Sequence, residues 1–182
     1  MKYNTNTNRF ILGNWKNQDL EWIVLKETEN KLLLQLAYGI HCMPYDADGH
    51  SVCWESSNPR SWLYDIFLPN AFSRQDINCL KTITIDHCNH LRNTKPSVYY
   101  TSECIFLLSE EEVKTLNPQP SFWIRRPNSE IAKDTEGVWW LRSYGRLEGQ
   151  SIGVVRPDGV IYPSGDIRAD TIMIVPAICV KK

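Results

Sequence analysis

The apolar residues of this chain are parcelled into short runs, and that spacing limits the fold more than any other feature. Trp22–Leu25, Lys31–Leu36, Cys104–Leu108, Val138–Leu141 and Thr171–Val180 are separated by stretches carrying Pro, Gly, Asn and Asp. Runs of this length suit strands and short helices. None approaches the roughly 20 apolar residues that cross a bilayer.

The first two runs flank the polar link Lys26–Asn30, which predicts a β-hairpin. His41–Val52 holds Pro44, Asp46, Asp48 and Gly49 and predicts a loop. Asn58 before Pro59 predicts a helix start, because proline in a first turn forgoes no hydrogen bond. Trp62, Leu63, Ile66 and Phe67 would form its apolar face, and Pro69 its end. Ser73 with Asp76, and Ser109 with Glu112, read as capping boxes of two further short helices. The second of these helices is expected to stop at Asn117-Pro118-Gln119-Pro120.

Strands are expected at Lys81–Asp86, Cys104–Leu108, Phe122–Ile124 and Val138–Leu141. Pro157-Asp158-Gly159 predicts a turn joining Ser151–Arg156 to Val160–Tyr162. Thr171–Val180 reads as one strand with Pro176 at an edge or bulge. The pattern predicts a single α+β domain over residues 11–182, with short helices packed on an antiparallel sheet and a strand-rich C-terminal third. Residues 1–10, rich in Asn and Thr, are expected to fray.

Twenty Lys+Arg against 21 Asp+Glu leave a net charge of -1. That balance argues against a nucleic-acid partner bound by phosphate neutralisation. The opening MKYNTNTNRF lacks the apolar core of a signal peptide. The six cysteines are therefore expected as reduced thiols in a cytoplasmic protein. Cys104 and Cys179, inside apolar runs, fit small buried hydrophobes.

An ordered series of segments carries a family resemblance. It runs through Trp22-Ile-Val-Leu, Leu32-Leu-Leu, Trp54-Glu-Ser-Ser, Arg60-Ser-Trp-Leu and Ala71-Phe72-Ser73. It continues with Ile105-Phe-Leu-Leu-Ser-Glu-Glu-Glu, Trp139-Trp-Leu-Arg-Ser, Gly153-Val-Val, Asp158-Gly-Val and Val175-Pro-Ala-Ile. Over residues 20 to 180 this resembles a bacterial family of unknown function, sometimes fused to other modules. That family is in turn similar to the C-type-lectin-like fold, shared by formylglycine-generating enzymes and the variable receptor-binding proteins of diversity-generating retroelements. Val175 stands where the family usually has Arg, Glu103 where it has Asp, and Tyr64 where it has Asn. The resemblance implies a fold but no activity.

Chemistry-bearing residues are sparse. Cys79, His87, Cys88 and His90 cluster without zinc-ligand spacing, as do His41, Cys42, His50 and Cys53. Asp46 and Asp48 before Gly49 do not continue in the register of a calcium loop. Leu141-Arg-Ser143-Tyr-Gly145 lacks the leading Gly of a nucleophile elbow. No cofactor, metal or catalytic residue is expected.

Residues 121–170 instead hold seven cations, six of them Arg, and seven anions, interleaved with Trp123, Trp139, Trp140, Tyr144 and Tyr162. Arginine beside aromatics suits directed recognition of a protein or glycan surface. Within the Trp pair, alternation should turn one ring inward, and Arg142, sharing a face with Trp140, should meet a buried carboxylate. Trp54, Arg60 and Trp62 are expected in or beside the core. The candidate ligand residues are Tyr144, Arg146, Glu148 and Gln150, with Tyr162, Ser164, Asp166 and Arg168. In C-type-lectin-like relatives, ligands meet long loops near the C-terminal strands, where these residues fall. The expected function is a non-catalytic recognition module, with no membrane partner. The competing expectation is an enzyme of the formylglycine-generating kind or a cryptic hydrolase.

Overall fold

The computed structural model describes residues 2–5, 8–50, 52–88, 98–116, 137–147 and 150–182, with the side chains of Cys88 and Val98 outside the description. Strands β1 (Lys2–Asn4), β2 (Arg9–Trp15), β3 (Gln18–Glu27) and β4 (Lys31–Leu36) open the chain, and β5 (His41–Cys42) follows. Strands thus dominate the beginning as well as the end. Within the stretch expected to fray, β1 pairs antiparallel with β2, and Tyr3 packs its ring 5.0 Å from that of Phe10. The β3–β4 hairpin stands where the two apolar runs predicted it, with Trp22 opposite Leu36 and Glu27 opposite Leu32.

A 3-10 turn at Trp54–Ser56 leads into α1 (Asn58–Trp62), a π-helical turn at Leu63–Phe67, and α2 (Leu68–Ala71). The cap is Ser57, one residue before the expected Asn58: its Oγ accepts from the Arg60 N–H at 3.3 Å. Pro69 does not end the helix. The turn before it widens so that Leu68 N–H reaches the Leu63 carbonyl, five residues back. A wider turn tolerates a residue with no N–H and a ring that crowds the preceding carbonyls. The same widening alters the buried face: Leu63 and Phe67 are fully buried, whereas Ile66, expected on the apolar face, is exposed.

Helix α3 (Arg74–Cys79) carries the expected capping box, Ser73 with Asp76. Strand β6 (Ile83–Cys88) and β7 (Val98–Glu103) form a two-stranded sheet, with Ile83 opposite Glu103 and His87 opposite Tyr99. After β8 (Ile105–Phe106), helix α4 (Glu110–Leu116) begins at the second capping box. Ser109 N–H donates to Glu112 Oε2 at 2.8 Å, and Glu112 N–H to Ser109 Oγ at 3.1 Å. The expected stop at 117–120 and the expected strand at 122–124 lie outside the described residues.

The C-terminal strands are β9 (Trp139–Tyr144), β10 (Ser151–Val155), β11 (Ile161–Asp166), β12 (Met173–Ile174) and β13 (Ala177–Lys181). The turn between β10 and β11 closes as expected, with Asp158 Oδ1 accepting from Val160 N–H at 3.0 Å. The final run is not one strand. Proline 176 divides it between two sheets, of order β1-β2-β3-β4-β13-β8 and β11-β10-β9-β12-β5. Proline cannot donate to a ladder, so the chain changes sheet where the donor is missing. Its carbonyl still accepts from Leu36 N–H at 2.9 Å. Strands β4 and β13 pair, which joins the early and final strands in one sheet. The sheet is not wholly antiparallel, because β12 meets β9 in parallel at Met173 and Trp139.

Both Trp139 and Trp140 are fully buried, against the expectation that alternation would bury one. All five residues of β10 beside them are buried too, so this sheet is covered on both faces. Trp140 Nε1 donates to the Met43 carbonyl at 2.9 Å, and its ring meets Tyr45 edge-on at 5.5 Å. Gly165 makes that packing possible: a Cβ there would lie 2.5 Å from Val154 Cγ1 and 3.0 Å from Trp140 Cζ3. Gly165→Ala is accordingly expected to cost about 1–3 kcal/mol through overpacking. Urea titration would show this as a lower midpoint at constant slope, and an unchanged midpoint would contradict the tight contact.

Candidate functional site

Arg142 is 3% exposed and spends its guanidinium inside the fold. Nη1 donates to Glu112 Oε2 at 2.5 Å and to the Leu107 carbonyl at 2.8 Å, and Nη2 donates to Glu112 Oε1 at 3.2 Å. The carboxylate expected from its shared face with Trp140 is there, but it is half-buried rather than buried: the Glu112 side chain keeps 28% of its surface exposed.

A fully buried carboxylate, Glu103, gathers three donors from the helical segment. Arg60 Nε donates to Oε1 at 2.9 Å, Trp54 Nε1 to Oε1 at 3.3 Å, and Tyr64 O–H to Oε2 at 2.6 Å. Tyr64 in turn accepts from Cys104 N–H at 3.0 Å. Burial, with the bond to Glu103, pushes the Tyr64 hydroxyl far from ionisation. These groups fasten α1 to β7 and are structural.

Tyr144, expected on a loop, is instead the last residue of β9. Its hydroxyl is hydrogen-bonded with Tyr99 and Cys53, and Cys53 Sγ lies 3.2 Å from Tyr99 Oη. Burial raises the pKa of both tyrosines. The His87 ring stacks on Tyr99 at 4.6 Å, and its Nε2 shares a 2.8 Å hydrogen bond with Thr101 Oγ1. Burial first, and the Arg142 cation second, lower the His87 pKa to about 4. Neutral phenols bonded to one another, with a neutral imidazole stacked beside them and bonded to Thr101, make a supporting network rather than a proton-transfer set.

Three of the other expected residues do converge. Gln150, Asp166 and Arg168 line a cleft of about 320 Å³ together with Gly49 and Ile167. Gly49 comes from the turn that follows Tyr45. Asp46 organises that turn: Oδ1 accepts from the N–H groups of Asp48 and Gly49 at 3.0 and 3.1 Å, and Oδ2 from that of His50 at 3.2 Å. The turn is tied to the late strands by Asp46 N–H to the Ile167 carbonyl at 3.0 Å.

Arg146 is exposed, and its N–H donates to the Pro163 carbonyl at 2.6 Å, bridging the β9–β10 connection to β11. Tyr162 is 48% exposed, with the Arg156 guanidinium 5.8 Å above its ring. Ser164 is half-buried in β11 and does not line the cleft. Glu148 lies outside the described residues. Gly49 and Ile167 were not singled out as ligand residues; the only sequence signal for Gly49 was the Asp46-x-Asp-Gly turn.

A larger cleft, about 570 Å³, lies between β2 and the α2–α3 junction. Most of its polar side chains are already engaged: Asn14 donates to Asp19 at 3.1 Å, Asn70 to the Ile66 carbonyl at 2.7 Å, and Ser73 is boxed with Asp76. Among the described residues, no three His, Cys, Asp or Glu side chains are grouped to hold a metal ion. Of the histidine–cysteine groups noted above, His41 stacks on Trp62, 4.8 Å between ring centroids, and Cys53 joins the tyrosines. His90 and the Cys88 side chain are outside the description. No helix among the described residues is long and apolar enough to cross a membrane.

Among the described residues, three sheets, a few short capped helices and a cleft between an early turn and the late strands define a strand-rich mixed protein. The chain belongs to a family described as a domain of unknown function, DUF6273, whose sequence model matches residues 28–182. No curated protein and no solved structure matches it. Strands β1 to β3 precede the matched region, yet Leu12, Leu20 and Trp22 from them sit fully inside the core.

Proposed function

We propose that this protein is a non-catalytic recognition module of C-type-lectin-like type, whose ligand is a protein surface. The observation that carries the reading is the concentration of exposed apolar side chains beside the cleft-forming segments. Leu147 and Tyr162 are 57% and 48% exposed. Leu147 follows Arg146 in the connection tied to Pro163, and Tyr162 precedes Pro163 in β11. Large apolar groups held in water beside arginines are the usual core-and-rim chemistry of a protein interface. The pairing of β4 with the last strand, which brings early and final residues into one sheet, supports a single-domain reading. The thiols of Cys42, Cys53, Cys79, Cys104 and Cys179 suit a reducing, cytoplasmic setting. A glycan is the second reading, favoured by the exposed Tyr162 ring.

Photo-crosslinking tests this directly, with a probe residue placed at Tyr162 or, for comparison, at Ile77, which is 40% exposed on α3. A discrete adduct is expected from position 162 alone and should be lost when Leu147→Ser is added. Equal adducts from both positions would refute the proposal. If a glycan array gives binding that Tyr162→Ala removes, while crosslinking yields no adduct, the ligand is a sugar.

A further inference from the structure

We infer that the cleft between Gly49 and Arg168 takes a carboxylate carried on an acidic peptide segment of the partner. The inference rests on the recognition reading and names the chemistry it reads. A guanidinium carries five N–H donors and no acceptor. Among the described residues, Arg168 has one side-chain hydrogen bond, from Nη2 to the Asp48 carbonyl at the long distance of 3.5 Å. No described carboxylate pairs with it, so most of its donors have no described partner, and Arg168 lines the cleft.

Two of the acidic groups nearby, Asp46 and Asp166, are bonded to main-chain N–H groups. Asp46 accepts from three successive N–H groups of its turn. Asp166 Oδ1 accepts from the N–H of Arg168 itself at 3.0 Å. Each carboxylate so held is partly neutralised by amide dipoles, and the guanidinium is left as the group with hydrogen bonds to give. Gln150, exposed in the lining, adds a neutral amide donor.

Gly49 sets where the guanidinium lies. Its φ is +71°, and a Cβ would fall 2.2 Å from Arg168 Nε and 2.5 Å from Nη2. Any side chain at this position would push the fork aside. A planar fork laid over bare backbone is the geometry that receives a carboxylate through two parallel bonds. The volume of about 320 Å³ admits an acidic side chain. Leu147, exposed in the neighbouring connection, favours a peptide over an acidic sugar because a peptide can offer it aliphatic contact.

The test titrates the ¹⁵N-labelled full chain with two blocked peptides, Leu-Glu-Leu-Glu and Leu-Gln-Leu-Gln, and separately with glucuronate. The Glu peptide is expected to shift the Gly49 and Arg168 amides and to bind about tenfold tighter than the Gln peptide, the worth of a charge-assisted hydrogen bond at a partly open site. Arg168→Gln and Gly49→Ala should each erase that preference. Equal binding of the two peptides, or no shift at Gly49 and Arg168, overturns the carboxylate assignment. Shifts from glucuronate without shifts from the Glu peptide overturn the peptide source. Either failure, alongside a discrete Tyr162 adduct, leaves the recognition reading standing; loss of that adduct removes the recognition reading itself.

Discussion

Replacing Glu103 by Ala is expected to remove about 3–5 kcal/mol of stability, the typical result of breaking a buried, hydrogen-bonded ion pair. Glu103 is fully buried and is the common acceptor for Arg60, Trp54 and Tyr64. Its loss leaves the Trp54 N–H and the Tyr64 hydroxyl without their acceptor and opens a cavity between α1 and β7. Arg60, with 27% of its side chain exposed, can turn to water, so its share of the cost is smaller. Glu103→Gln keeps the volume and one carbonyl oxygen and should cost about half as much, because charge assistance roughly doubles a hydrogen bond. Urea denaturation of the two variants measures both numbers. A loss below about 1 kcal/mol for the Ala variant, the range of an exposed pair, would show that the three donors find other acceptors.

Acid should weaken the fold through His87. Its pKa is lowered from 6.5 to about 4 in the folded chain. The unfolded chain therefore takes up the proton first as pH falls. Stability from this group is complete above pH 6.5 and is lost as pH drops from 6.5 toward 4, to a total of about 3 kcal/mol. Below that window this residue contributes no further change. The charged groups bearing on the ring are Arg142 and Arg60, which disfavour the proton, and Glu103 and Asp86, which favour it. Burial and the two arginines outweigh the two acids, since His87 is only 4% exposed and its Nδ1 finds no partner among the described residues.

His87→Phe keeps a ring for Tyr99 and removes the titration. Comparing the two proteins by denaturation at pH 7, 5.5 and 4.5 cancels the contribution of the remaining carboxylates. The wild-type chain is expected to lose the larger amount of stability between the first and last of these. Parallel losses in both would show that the imidazole takes its proton without cost.

The residues around Glu103 and His87 are unequally legible in the sequence. Arg142 could be read from sequence, because its position two residues after Trp140 put it on the same face of one strand. Its partner Glu112 could not, since the contact joins residues 30 apart. Glu103 was visible only as a departure from a family pattern. Its three donors arrive from positions 54, 60 and 64, and nothing local relates those positions to a strand ending at 103. The cleft divides in the same way. Gln150, Asp166 and Arg168 were named from their place on late loops, but Gly49 belongs to an early turn brought there by the Asp46–Ile167 backbone bond. Tyr144, Ser164 and Asp166, expected on loops, lie in strands, because β9 runs to Tyr144 and β11 to Asp166 before the chain turns.

What the sequence determined by itself is local. The capping boxes at Ser73 and Ser109, the β3–β4 hairpin and the Pro-Asp-Gly turn each depend on groups a few residues apart. Such contacts cost little chain entropy and form wherever the residues occur. Only the tertiary structure decided that Pro176 would split the last run between two sheets, that both adjacent tryptophans would be buried, and that a π turn would carry the helix past Pro69. Each of those outcomes depends on what covers the far side of an element. A strand's own alternation cannot report that, because its two faces become distinct only when other segments pack against them.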